Sequence, residues 1–357
     1  MSTRFITLTR GDADFLPYLS GTFSDDEVAV PVESYDVSSQ KERVTFQVSP
    51  VQKLGAFQNV KLLSRLFRIE ILPITLVPPL VVMFYPGFQN FVYWQVAVAL
   101  LSIIALHAGI FSLNDYVDHM TGVDRLGEKS GSRVIQEGDI KAYHALRFSL
   151  GALLLSICLS VPLILLNPVL LIFGLLATIF GAFGYVYARS GYRRLVLGGL
   201  SVFTVFGPLL VVGTAMLTQQ DLDWTKHGVD LFWMSMIFGF CATMYSQSRQ
   251  LSSQLVDHQV GIRTLAVRLG FDGAKYWLLF LSHITMAMAL FFWSRQGLVE
   301  VQWLLPAYAT FVGVRFSRFI WRIQSPVGSR TAKLGSEAIY YEMILGLIMI
   351  VSFWFLR

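Results

Sequence analysis

The sequence predicts an all-α polytopic membrane protein: a bundle of nine transmembrane helices beneath a polar cytoplasmic cap. Three observations carry this. Of 357 residues, 54% are hydrophobic and 14% charged. Apolar runs long enough to cross a bilayer core of about 30 Å recur along the chain. The basic residues alternate between the two faces that those runs define.

The runs are approximately 69–86, 90–113, 145–166, 168–188, 195–217, 230–249, 274–294, 301–320 and 338–356. The first carries Pro73, Pro78 and Pro79, and the third and fourth are hinged at Asn167-Pro168. Proline is tolerated in membrane helices whose neighbours satisfy the freed backbone groups, so the first span is expected to be kinked. With the N-terminus inside, all but three of the 28 Lys and Arg residues fall on the cytoplasmic face; Lys226, Arg295 and Arg357 are the exceptions. That bias sets the orientation and supports an odd number of spans. It accounts for the net charge of +5, which carries no nucleic-acid signal.

Residues 1–65 are polar, with acidic and basic side chains nearly balanced, and no signal-peptide core precedes the first span. This composition leads to the expectation of a cytoplasmic extension that is partly disordered or lies on the membrane surface, followed by a membrane domain over 66–357. Val51 to Arg68 mixes Leu, Phe and Val with Lys and Arg, as an amphipathic interfacial helix does. Cys158 and Cys241 both fall inside spans and define neither a disulfide framework nor a thiolate metal site.

The second span ends in Asn114-Asp115-Tyr116-Val117-Asp118-His119-Met120-Thr121-Gly122-Val123-Asp124. One ionisable group near hydrocarbon costs roughly 2.5 to 3.5 kcal/mol, so a cluster there marks a functional site. On a continuing helix Asn114 and Asp118 share a face one turn apart, with Asp115 beside them. Gly122 can turn the chain and return Asp124. Asn114, Asp115, Asp118 and Asp124 thus offer oxygen ligands suited to Mg²⁺ bound together with substrate phosphate. The following loop carries Arg125, Lys129 and Arg133 among glycines, the forks and point charges that a diphosphate needs; positive-inside anchoring explains the same residues. After the sixth span comes a polar Ser- and Gln-rich loop in which Asp257 is the only carboxylate.

This order of spans and polar motifs resembles the UbiA superfamily of intramembrane prenyltransferases over residues 66 to 357. Arg68 to Pro78, with Leu72-Pro73 inside, is similar to the opening of the dihydroxynaphthoate (menaquinone) branch. Asn114 to Asp124 resembles the first aspartate motif, with the wide step through Gly122 found in that branch. Arg133 to Gly138, Phe206-Gly207-Pro208-Leu209 with Val212-Gly213-Thr214, and Arg263 to Gly270 resemble further signatures. The second aspartate motif departs from the pattern. Ser253 stands where its first Asp is expected and Asp257 where its second is. Arg249 and Gln250 replace paired asparagines, Ile262 replaces a Lys, and Gly199 falls where the naphthoate branch has Glu.

The resemblance implies a Mg²⁺-dependent enzyme of the inner membrane of a bacterium, with a cytoplasmic active site. It would move a prenyl group from an allylic prenyl diphosphate to an aromatic acceptor. Asp115, Asp118 and Asp257 are its expected catalytic residues. Asn114, Asp115, Asp118, Asp124 and Asp257 are the expected metal ligands, and Lys129, Arg133, Arg249 and Arg263 the expected diphosphate ligands. Two alternatives stand beside it: a divergent enzyme of specialised terpenoid metabolism and a non-catalytic isoprenoid-binding protein. Transport fits less well, because the acids cluster at one face and no inverted repeat is visible.

Overall fold

The computed structural model describes residues 3–37, 39–51, 55–88, 92–122, 131–183, 197–218, 222–259 and 261–356. The described residues of the N-terminal extension form regular structure. Strands β1 (Arg4–Thr9), β2 (Glu27–Tyr35) and β3 (Arg43–Pro50) make an antiparallel sheet in the order β1-β3-β2, with helix α1 (Phe15–Ser20) packed on one face. Val44, Phe46 and Val48 of the central strand are buried with Phe15 and Leu19. Alternate residues of a strand face one side of a sheet, so this period-two apolar pattern builds a small core that bulk composition conceals.

Helix α2 (Ala56–Leu66) follows, then a break, then α3 (Leu72–Phe84); the two segments are bent by 52°. Arg68 lies in the break with φ of 52°, a left-handed conformation uncommon outside glycine, which ends one helix and redirects the next. The chain continues through α4 (Tyr93–Thr121), α5 (Ala142–Leu166), α6 (Leu170–Ala177), α7 (Gly198–Thr204), α8 (Leu210–Thr218), α9 (Trp224–Ser252), α10 (Gln254–Gln259), α11 (Leu265–Arg295), α12 (Leu304–Trp321) and α13 (Ser329–Leu356). Among the described residues, six helical segments are long and apolar enough to cross a membrane, and the bent pair of α2 and α3 makes up to seven. The other two regions read as spans correspond to the shorter apolar helix Leu170–Gly181 and to α12.

In lipid, helices associate through close packing and interhelical hydrogen bonds, so small residues mark their crossings. Gly207, in a π-helical turn between α7 and α8, shows why its motif needs glycine: a Cβ there would lie 2.4 Å from the Ser235 carbonyl oxygen and 2.8 Å from Gly239 Cα. Ser149 Oγ donates to the Gly109 carbonyl at 2.8 Å where α5 crosses α4. Phe238, Phe292, Trp293, Phe316, Tyr341 and Phe353 fill the core shared by α9, α11, α12 and α13.

Candidate active site

Asn114, Asp115 and Asp118 are all buried on the last turns of α4, which Gly122 caps with φ of 86°, the turn expected of it. Asn114 Nδ2 donates to Asp118 Oδ2 at 2.8 Å, as side chains one turn apart on a common face can. Asp115 points to a different partner. Its Oδ1 is ion-paired with Arg68, and Ser132 N–H donates to its Oδ2 at 3.3 Å. Both of its oxygens are therefore engaged by the protein. Asp124 and Lys129, expected as metal and diphosphate ligands, lie outside the described residues.

The second motif sits where α9 ends. Ser253 Oγ stands 3.0 Å from Asp257 Oδ2 and 3.1 Å from the Arg249 carbonyl oxygen, so its one proton can serve either acceptor. Asp257 is buried, and its carbonyl accepts from Ile262 N–H at 2.8 Å as the chain turns toward α11. Thr264 caps α11, with Val267 N–H donating to its Oγ1 at 3.3 Å. Arg263, beside that cap, is exposed, and Arg133 is half-buried with a left-handed φ of 63°.

Arg68 and Arg249 bring the two motifs to one place. Both line a cavity of about 130 Å³ together with Glu70, Tyr245, Gly335 and Ser336. Arg68 joins it to the first motif through Asp115, and Arg249 lies one helical turn before Ser253. A Cβ at Gly335 would approach Arg249 Cδ to 3.1 Å, so the small residue leaves the guanidinium its place. Nearby on α9, Gln247 Nε2 and Gln250 Oε1 are buried without a hydrogen-bond partner among the described residues. Such orphaned polar atoms cost about 1 to 3 kcal/mol each and mark a polar inner face that a polar ligand would satisfy.

Among the described residues, no group of three or more His, Cys, Asp or Glu side chains stands close enough to hold a metal ion alone. The donors present nonetheless fit Mg²⁺. Mg²⁺ accepts one or two carboxylates and completes its octahedron with substrate phosphate and water, and Asn114 with Asp118 offers an all-oxygen pair of that kind. Arg68 is the site residue that sequence reasoning left out. The signal was an Arg close before Leu72-Pro73, at the mouth of a membrane span.

Fold and site together define an integral membrane protein whose helical bundle carries a polar cavity lined by Arg68, Glu70 and Arg249. The chain belongs to the UbiA prenyltransferase family, which matches residues 75–341, and is an enzyme of the prenyl-transfer class. It is 29% identical over 228 residues to a 1,4-dihydroxy-2-naphthoate octaprenyltransferase of Mycobacterium tuberculosis, covering 60% of this chain and 74% of that one. It is 27% identical over 198 residues to the UbiA prenyltransferase domain-containing protein 1 homolog of Drosophila melanogaster, covering 53% of this chain and 49% of the relative. The fold is similar to that of a UbiA homolog from Archaeoglobus fulgidus bound to GPP and Mg²⁺, with a TM-score of 0.61 at 19% identity over 83% of this chain and 99% of that one. A UbiA homolog from Aeropyrum pernix gives a TM-score of 0.59 at 16% identity, over 84% and 99%.

Proposed function

We propose that the protein is a Mg²⁺-dependent intramembrane prenyltransferase that moves a prenyl group from an allylic prenyl diphosphate to an aromatic, naphthoate- or phenol-like acceptor. The observation that carries this reading is the cavity lined both by Arg68, which is ion-paired with Asp115 of the first motif, and by Arg249, one turn before Ser253 of the second. Guanidinium groups supply planar, permanently charged forks for phosphate oxygens.

Asn114 and Asp118 hold Mg²⁺ in this account, joined by Asp124 and, at a second and weaker position, by Asp257. The metal supplies Lewis acidity, drawing negative charge from the diphosphate. Arg249, Arg133, Arg263 and Lys129 bind and orient the diphosphate and stabilise the charge that grows on it as the allylic carbon–oxygen bond breaks. The electron pair leaves with the diphosphate. The π electrons of the acceptor close the new carbon–carbon bond, and the acceptor carbon then releases its proton to an oxygen of the departed diphosphate. Asp115 keeps Arg68 aimed at the site. The surrounding bundle excludes water that would quench the cation.

Ser253 removes one carboxylate from the second motif, so Mg²⁺ affinity there falls; direct supply of positive charge to the diphosphate by Arg249 is the alternative to a second metal. Gly199 leaves the acceptor side without the expected Glu, and Gln247 Nε2 lies 3.3 Å from where its Cβ would stand. That altered acceptor side favours a naphthoate or phenol of a specialised pathway as the alternative to the menaquinone precursor. The basic-residue bias supports an odd number of spans, nine in this reading, with the site and N-terminus on the cytoplasmic side; the resemblance alone points to the plasma membrane of a bacterium. The direct test is donor binding: purified protein should retain labelled farnesyl or geranylgeranyl diphosphate with Mg²⁺ and lose it with chelator. Retention equal in both conditions would refute a metal-assisted diphosphate site.

A further inference from the structure

The N-terminal sheet sits on the ends of α4 and α5, beside the first acidic motif. His119, one residue after Asp118, is 1% exposed, and its Nε2 lies 2.9 Å from the Leu19 carbonyl oxygen of α1. A carbonyl only accepts, so Nε2 carries the proton. Nδ1 faces the Gln136 amide at 3.5 Å. Met120 packs into the core of the sheet with Phe15 and Phe46. At the start of α5, Lys141 Nζ donates to the Ser24 and Asp25 carbonyls at 2.5 and 2.9 Å, while its stem fills the space beside Gly21. Gly138, with φ of 77°, admits Val30 of β2, since a Cβ there would lie 2.7 Å from Val30 Cγ2.

These contacts grip α4 just past Asp118 and, separately, the chain entering α5. The family match begins at residue 75, and 83% of this chain already covers 99% of the Archaeoglobus homolog. The sheet therefore stands outside the residues that the family model matches. We infer that it is a built-in clamp on the first motif, and that His119 is the positioning residue through which Leu19 fixes the turn bearing Asn114 and Asp118. The inference rests on the proposed role of those two residues as Mg²⁺ ligands. Partners behind a ligand set its orientation, and losing one typically weakens metal binding by about 10- to 100-fold.

The test compares the full-length parent with His119→Leu, His119→Gln and Lys141→Met. Two readouts are taken: hydrogen exchange of the α4 end without metal, and the Mg²⁺ concentration for half-maximal prenyl transfer. Gln places an amide N–H near the Nε2 position, so His119→Gln should stay close to the parent in both. His119→Leu should accelerate exchange at residues 114–122 and raise the Mg²⁺ requirement about ten-fold, with the melting temperature of the metal-free protein little changed. Lys141→Met should move both readouts the same way, by less. Unchanged exchange and an unchanged Mg²⁺ requirement in both His119→Leu and Lys141→Met would overturn the clamp, as would equal impairment of the Leu and Gln variants at position 119. Those outcomes leave a Mg²⁺-dependent parent intact and so are distinct from failure of the functional reading. A parent with no Mg²⁺-dependent transfer would overturn both.

Discussion

The guanidinium of Arg68 is ion-paired with Asp115 where the first membrane segment breaks, and both side chains are buried. Removing one partner of a buried pair strands the other charge, at about 3 to 5 kcal/mol, whereas removing both costs much less. Arg68→Met should therefore lower thermal stability in detergent more than Asp115→Asn does, and the double variant should recover much of the loss. A double-mutant cycle in melting temperature measures this. Strict additivity would show that the two side chains do not act as a pair.

Asn114 Nδ2 and Asp118 Oδ2 meet at 2.8 Å on the buried face of α4. Asp118→Ala should abolish turnover while leaving the bundle folded, as judged by labelled prenyl transfer alongside size-exclusion behaviour. Residual activity within about a few-fold of the parent would exclude Asp118 as an essential ligand.

Ser253 Oγ lies 3.0 Å from Asp257 Oδ2. A carboxylate placed there would repel its neighbour until a cation came between them. Ser253→Asp should thus lower the melting temperature without metal and reduce the Mg²⁺ concentration needed for half activity. An unchanged or worse Mg²⁺ response would mean that Arg249 has taken over the role of the second metal.

Arg249 lines the same cavity as Arg68. A charge-assisted hydrogen bond to phosphate is worth about 1.5 to 3 kcal/mol, so Arg249→Gln should raise the donor KM by about ten-fold or more. Arg249→Lys restores the charge but not the fork, and should recover only part. A donor KM unaffected by both substitutions would remove Arg249 from the site.

Gly207 approaches Ser235 and Gly239 so closely that a methyl group has no room. Gly207→Ala should force α9 away from the turn between α7 and α8 and lower the melting temperature, costing about 1 to 3 kcal/mol. Unchanged stability would show that the crossing can open without loss.

The long apolar helices and the first acidic motif were legible because each leaves a local signature. Hydropathy over some twenty residues marks a span, and the step of four from Asn114 to Asp118 puts both on one face. Asp257 was legible as the only carboxylate of its loop. Arg68 was not, because its role depends on a left-handed break that aims it at a residue 47 positions away in the chain. The N-terminal sheet escaped for a different reason. Balanced charge across residues 1–65 suggested a solvated tail, although Val44, Phe46 and Val48 already alternated along the strand. Short strands carry little hydropathy, and their pairing partners lie far apart in sequence. The contacts of His119 with Leu19 and of Lys141 with Ser24 and Asp25 were invisible for the same reason.

Ionisation of an allylic diphosphate by Mg²⁺ and the motifs linked through Arg68 and Arg249 can be read out in membranes. The most direct measurement incubates membranes containing the full-length protein with labelled farnesyl or geranylgeranyl diphosphate and a panel of hydroxynaphthoates and hydroxybenzoates, with Mg²⁺ or with chelator. Label should pass to an aromatic product with Mg²⁺ and not with chelator. No transfer to any acceptor, together with no Mg²⁺-dependent binding of the donor, would contradict it.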